Sequence, residues 1–147
     1  GECAGGGGRA GGGEDVVREK NLFGEAVLPG AMFCHLAPGD HDEYRRPFAE
    51  PGEGRRPTLT WPREIPIAGE PADVVSIASA YADFMASAPF PKLFVNAEPG
   101  AILTGPQRQF CRTWPNQTEV TVAGSHFVQE DSAHEIGTAL ANWYTGL

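Results

Sequence analysis

Two short apolar runs set the limits on what this chain can fold into. Lys92-Leu93-Phe94-Val95-Asn96 ends at Glu98-Pro99-Gly100, and Glu119-Val120-Thr121-Val122 ends at Ala123-Gly124. Runs of this length bounded by turn residues read as buried strands. Helical patterns lie before, between and after them. Val74, Val75, Ile77, Ala78, Tyr81, Phe84 and Met85 recur at helical spacing within residues 71–86. Residues 105–113 read as a short helix closed by Trp114-Pro115. Ser132-Ala133-His134-Glu135 reads as a capping box that opens a last helix through Ile136, Leu140 and Trp143. Alternation of this kind implies parallel strands and an α/β architecture. Two strands cannot bury both faces of such a sheet, so the pattern describes part of a larger one.

The region ahead of the strands has another character. Eight of the 13 prolines lie between Pro29 and Pro71, so no helix there runs long. The expected pieces are residues 20–28, 40–48 and 55–63, with Asp40 as the N-cap of the second. Eight of the 19 glycines fall within residues 1–13, which are expected to be structureless. That head contains a formal G-x-G-x-x-G at Gly6, Gly8 and Gly11. No strand precedes it, so it is read as low-complexity sequence and not as a nucleotide site.

A formal net charge of −8 argues against nucleic acid or an anionic membrane surface as partner. The apolar stretches are broken too often to span a membrane, and no signal-peptide pattern is visible. Cys3, Cys34 and Cys111 are too few and too scattered for a disulfide framework or a metal cluster. A reduced, cytoplasmic setting is the expectation, with Cys111 a small filler in a helix.

Ligands of open α/β sheets bind beyond the carboxyl ends of the strands. Residues 96–104 and 124–131 occupy that place. The second loop carries His126, which is read either as a general base aimed into a cleft or as a turn residue bonded to backbone. Glu98, at the end of the first strand, is read either as an acid orienting a histidine or as a turn residue. His41 lies in Gly39-Asp40-His41-Asp42-Glu43, which reads as a solvated acidic first turn, because consecutive helical residues cannot all face one ion. His35 and His134 have no partner that the sequence identifies, and the Asn116-Gln117-Thr118 sequon reads as incidental. Neither G-x-S-x-G nor G-x-D-x-G occurs, so a nucleophile for His126 is absent from these residues.

Longer strings carry a resemblance. Arg56-Pro57-Thr58-Leu59-Thr60-Trp61-Pro62-Arg63, Ile65-Pro66-Ile67 and Lys92-Leu93-Phe94 belong to it. So do Asn96-Ala97-Glu98-Pro99-Gly100-Ala101, Phe110-Cys111-Arg112-Thr113-Trp114-Pro115-Asn116-Gln117-Thr118 and His126-Phe127-Val128-Gln129-Glu130-Asp131. From about residue 14 onward the chain resembles the C-terminal half of bacterial haloalkane dehalogenases, in the branch that includes the lindane-pathway chlorocyclohexadiene enzyme. The resemblance implies a partial α/β-hydrolase fold. Residues 14–67 would be a helical cap segment and 68–147 the C-terminal part of the core, with its last two strands and closing helices. The Gly-rich head, residues 1–13, departs from the family pattern.

It also implies a chemistry. An Asp attacks the halogen-bearing carbon of an aliphatic substrate, halide leaves, and a His-activated water hydrolyses the resulting alkyl ester. No metal or organic cofactor is needed. His126 matches the base. Phe127, Ala101 and Ile102 match cavity lining, as do Phe23, Val27, Trp61, Pro62 and Ile65 on the cap side. Ala31 matches a tunnel-mouth position where the lindane-pathway enzyme has a larger residue, which implies a wider entrance. The nucleophile, the halide-binding Asn and Trp and the branch's catalytic Glu match positions ahead of this chain, so Glu98 is not the expected acid. The expectation is a chain inactive by itself, prone to self-association through exposed apolar faces, or paired with a complementary N-terminal half. A non-enzymatic remnant that binds apolar ligands is the competing reading. Epoxide hydrolases and related luciferases share the scaffold, but the Trp61-Pro62 and His126-to-Asp131 strings favour a dehalogenase.

Overall fold

A computed structural model describes residues 12–147. The expected structureless head lies outside the described residues except for Gly12 and Gly13, which belong to a single helical turn, Gly12–Glu14. The G-x-G-x-x-G match and Cys3 also lie outside them. The chain divides into two compact units.

One unit takes residues up to 30 together with 36–75. Its described regular elements are short helices and helical turns, apart from an isolated antiparallel bridge between Ile67 and Glu70. The helix expected over residues 20–28 is broken, because Asn21 is buried with a left-handed backbone at φ 50°. Asparagine tolerates that conformation better than other non-glycine residues. Wide turns, Asp15–Glu19 and Phe23–Val27, flank the break. A Cβ on Gly24 would lie 2.7 Å from the Asn21 amide nitrogen, so the side chain of Asn21 fills the space that glycine leaves.

Asp40 is not an N-cap. The helix runs Pro38–Arg45 and is preceded by extended Ala37. The fixed φ of Pro38 suits the first helical position, and a residue before proline is pushed out of the helical region, so the start moves two residues earlier. His41, whose partner the sequence did not show, shares a hydrogen bond between Nε2 and the Gly24 carbonyl at 2.7 Å. Arg45 makes a bidentate pair with Glu25, at 2.9 Å from Nε and 2.6 Å from Nη2. That pairing holds the Glu25 carboxyl below its ordinary range.

Arg55 organises this unit. It is buried, and its guanidinium donates to the carbonyls of Phe48 at 2.7 Å, Arg18 at 3.0 Å, Glu19 at 2.7 Å and Ala49 at 2.8 Å. One planar fork thus closes three chain segments that have no helix long enough to hold themselves. Outside it, Glu53 pairs with both Arg18 and Arg56. Among the described residues of this unit, Leu28 and Leu59 are the buried apolar ones.

The other unit takes residues 31–35 and 76–147. Its sheet has two parallel strands, β1 (Lys92–Pro99) and β2 (Gln117–Gly124), paired from Lys92 opposite Gln117 to Pro99 opposite Gly124. Both are longer than the apolar runs that announce them, because the ladder continues through polar Glu98 and Gln117. The helix Gly105–Arg112 connects them, and Ala72–Ser87 and Ala133–Thr145 lie on either side in sequence. The start of β1 is fixed by Lys92, buried to 6 % exposure. Its ammonium donates to the carbonyls of Ala88, Phe90 and Pro115 and sits 4.5 Å from the Phe90 ring centroid.

The Ser132 capping box does not form. Ser132 is the N-cap, but its hydroxyl donates to the Ala123 carbonyl at 2.6 Å and leaves the helix amides alone. A strand-end carbonyl outcompetes the helix here because Ser132 is buried against it. The apolar faces are largely uncovered among the described residues: Ile77 is 68 % exposed, Phe84 56 % and Leu140 51 %. No helix among the described residues is long and apolar enough to cross a membrane.

Candidate active site

The carboxyl ends of the two strands are joined by a hydrogen bond from the Gly100 amide to the Gly124 carbonyl, 3.0 Å. After β1 the chain turns at Gly100, whose φ is +72°. A Cβ there would lie 2.9 Å from the Ala97 carbonyl, so only glycine makes this turn without strain. Arg108 secures the loop from outside. Its Nη2 donates to the carbonyls of Ala97 and Pro99 at 2.8 and 2.9 Å, and its Nη1 donates to Glu98 at 2.9 Å. Glu98 is therefore engaged with Arg108 at the end of the strand. Ala101 and Ile102, both exposed, sit on the loop that this arginine holds.

After β2 the chain passes through Ser125, His126 and Phe127 into a short helix, Val128–Asp131, within the stretch expected to be loop. His126 is exposed, and its ring lies 4.7 Å from the Phe127 ring at an angle of 57°. The position of this turn is set by a segment nearly a hundred residues earlier. The amides of His126 and Phe127 both donate to the Ala31 carbonyl, at 3.1 and 3.3 Å.

Asp131 completes the attachment. Its Oδ1 accepts from the amides of Phe33 and Cys34, at 2.8 and 2.9 Å, and its Oδ2 accepts from the Ser125 amide at 2.8 Å. Burial opposes the charge, yet the amides of Cys34, Ser125 and Phe33 together hold the carboxyl below the ordinary aspartate range. A carboxyl lowered in this way stabilises the fold above its unfolded value of about 4, and that contribution is lost as the pH falls through the lower folded value. The Cys34 thiol donates to the Glu130 carbonyl at 3.5 Å and is pushed up by burial and by the neighbouring Asp131.

Gly124 permits this tight turn. A Cβ there would lie 2.7 Å from Val128 Cγ2 and 3.3 Å from Asp131 Oδ2. Valine in a helix has little rotamer freedom with which to withdraw. Gly124→Ala is expected to destabilise the chain by about 1–3 kcal/mol, the usual range for overpacking. Urea unfolding checks this, and an unchanged midpoint would contradict it.

The structure thus brings Ala31, His126 and Phe127 together and places Ala101 and Ile102 on the neighbouring strand-end loop. Phe23 and Val27 lie on the wide turn Phe23–Val27 of the helical unit, half-buried and 40 % exposed respectively. Trp61, Pro62 and Ile65 lie on and just after the turn Trp61–Glu64, with Trp61 60 % exposed. An open groove of about 920 Å³ runs between β2 and the closing helix, lined by Val120, Val122 and Trp143 among others. It includes none of the candidate site residues, so the strand-end geometry is the better guide to chemistry. Among the described residues no group of His, Cys, Asp and Glu could hold a metal ion. Nothing in the sequence marks Asp131 or Arg108 as a positioning group. Asp131 gave no signal, because its partners Phe33 and Cys34 are 98 and 97 residues away.

No protein-family model matches the chain. A haloalkane dehalogenase of Sphingobium indicum is 60 % identical over 129 residues, which is 88 % of this chain and 44 % of that protein. The chain is homologous to haloalkane dehalogenases. A second one, from Mycolicibacterium smegmatis, is 50 % identical over 133 residues, or 89 % of this chain and 42 % of the relative. The crystal structure of a Bradyrhizobium elkani haloalkane dehalogenase superposes with a TM-score of 0.87 at 38 % identity, covering 94 % of this chain and 48 % of that one. The chain therefore spans less than half the length of the curated haloalkane dehalogenases it matches, as a C-terminal portion of an α/β-hydrolase fold would.

Proposed function

We propose that this chain supplies the water-activating half of a haloalkane dehalogenase, with His126 as the base. What supports the reading is the place of His126 at the carboxyl end of a parallel strand, where α/β sheets bind ligands, with its backbone fixed on Ala31. In the reaction, an Asp carboxylate from outside these 147 residues attacks the carbon of a carbon–halogen bond. The carbon–oxygen bond forms as halide leaves with the electron pair. His126 then takes a proton from water while the water oxygen adds to the ester carbonyl. Alcohol departs, the carboxylate is regenerated, and the proton is released with the halide. Phe127, Ala101, Ile102 and Ala31 are assigned to substrate binding in this reading, and so, by the resemblance alone, are Phe23, Val27, Trp61, Pro62 and Ile65. Residues 14–67 would form the cap segment.

The remaining half would come from a complementary N-terminal segment, and the exposed apolar faces of Ile77, Phe84 and Leu140 support such a partner. Self-association is the alternative use of those faces. A cytoplasmic location goes with this reading. The test joins the chain to the N-terminal portion of the Sphingobium relative and measures halide release from a bromoalkane. The joined protein is expected to turn over, and the 147-residue chain alone is expected to release no halide. Catalytic halide release by the chain alone, or a folded but inert joined protein, would overturn the proposal.

A further inference from the structure

We infer that Asp131 is a positioning residue for His126, acting through a closed ring of backbone contacts; this rests on the role proposed for His126. The ring can be followed atom by atom. Asp131 Oδ1 holds the amides of Phe33 and Cys34, which fixes the segment that begins at Ala31. The Ala31 carbonyl in turn accepts the amides of His126 and Phe127. Asp131 Oδ2 then accepts the Ser125 amide, one residue before His126, and the ring closes. His126 is therefore held on both sides: its own amide on Ala31, and its neighbour's amide on Asp131. The exposed His126 ring gains little from packing beyond its contact with Phe127, so its direction depends on the backbone beneath it.

The ring needs an anion with two acceptor oxygens. Three backbone amides donate to Asp131, with the Cys34 thiol beside them, and a carboxylate offers acceptor sites on both oxygens. An asparagine presents one oxygen and one NH₂ group. It can keep Phe33 and Cys34 or keep Ser125, and whichever it abandons meets a donor instead. Glutamate keeps both acceptors but moves them out by one methylene. The short helix Val128–Asp131 and the glycine at 124 set the reach, since Asp131 Oδ2 lies 3.3 Å from where a Gly124 Cβ would stand. Asp131 touches no reacting atom in this account; its effect reaches the chemistry through the backbone of residues 125 and 126.

Two readouts test it. In the 147-residue chain, Asp131→Asn is expected to speed hydrogen exchange at the Ser125 amide, or at Phe33 and Cys34, by about tenfold or more, the effect of losing a charge-assisted hydrogen bond. Amides of the β1–β2 ladder should stay protected. In the joined protein, Asp131→Asn is expected to release the first equivalent of halide normally and then to turn over about ten- to a hundredfold more slowly, because only the hydrolytic step uses His126. A purely structural role would lower the first burst and the steady rate together. Asp131→Glu should recover part of the steady rate. Unchanged exchange at all three amides, or a burst and steady rate that fall in step, would overturn the inference. His126→Ala in the same joined protein separates the two ideas. If that variant turns over normally, the role of His126 fails. If it stalls while Asp131→Asn does not, the positioning role of Asp131 fails.

Discussion

In a protein that joins this chain to the N-terminal portion of its Sphingobium relative, His126→Ala is expected to lower steady turnover by about 10²–10⁴-fold, the range for removing a general base. The loss should fall on one step. In the proposed reaction carbon–halogen cleavage uses an Asp nucleophile from outside these residues and not His126, so the first equivalent of halide should still appear. Ester hydrolysis needs a proton taken from water, and two nearby carboxylates are already engaged: Glu98 at the end of β1 by Arg108, and Asp131 after β2 by three amides. Stopped-flow halide detection separates the two phases. A His126→Ala protein with an unchanged steady rate would remove His126 from the mechanism.

Arg55→Ala is expected to be the most destabilising single change in the helical unit, at about 3–5 kcal/mol. The guanidinium is buried and satisfies the carbonyls of Phe48, Arg18, Glu19 and Ala49. Its removal leaves acceptors without donors, each costing about 1–3 kcal/mol before water re-enters. The apolar support around it is slender, since Leu28 and Leu59 are the buried apolar side chains among the described residues of this unit. Arg55→Lys should recover little, because an ammonium cannot reproduce the planar fork that reaches two other segments at once. Far-ultraviolet circular dichroism through a urea titration reads the change. An Arg55→Ala midpoint equal to that of the parent would show that the carbonyls find partners elsewhere.

What the residues announced, and what they concealed, follows from the range over which each signal acts. Strand positions were legible because apolar runs between turn residues are local. Their ends were not, because Glu98, Pro99 and Gln117 carry turn-like chemistry while sitting in the ladder. Asp40 and Ser132 show local rules overtaken by neighbours. Pro38 started one helix early, and the Ala123 carbonyl captured the hydroxyl that a capping box would have used. His126 was legible as a candidate because its address, directly after a strand, is a local property. The clasp that fixes it was not. Phe33 and Cys34 reach Asp131 across nearly a hundred residues, and backbone amides carry no side-chain signature by which a sequence could reveal them. The membership of residues 31–35 in the same unit as β2 was hidden for the same reason.

His126 is proposed to complete a reaction begun by an Asp outside these residues. Intact-protein mass measurement of the joined His126→Ala protein after exposure to a bromoalkane tests it most directly. A stable mass increase of one alkyl group is expected, matched by one equivalent of halide. An unmodified mass with alcohol accumulating in solution would contradict it.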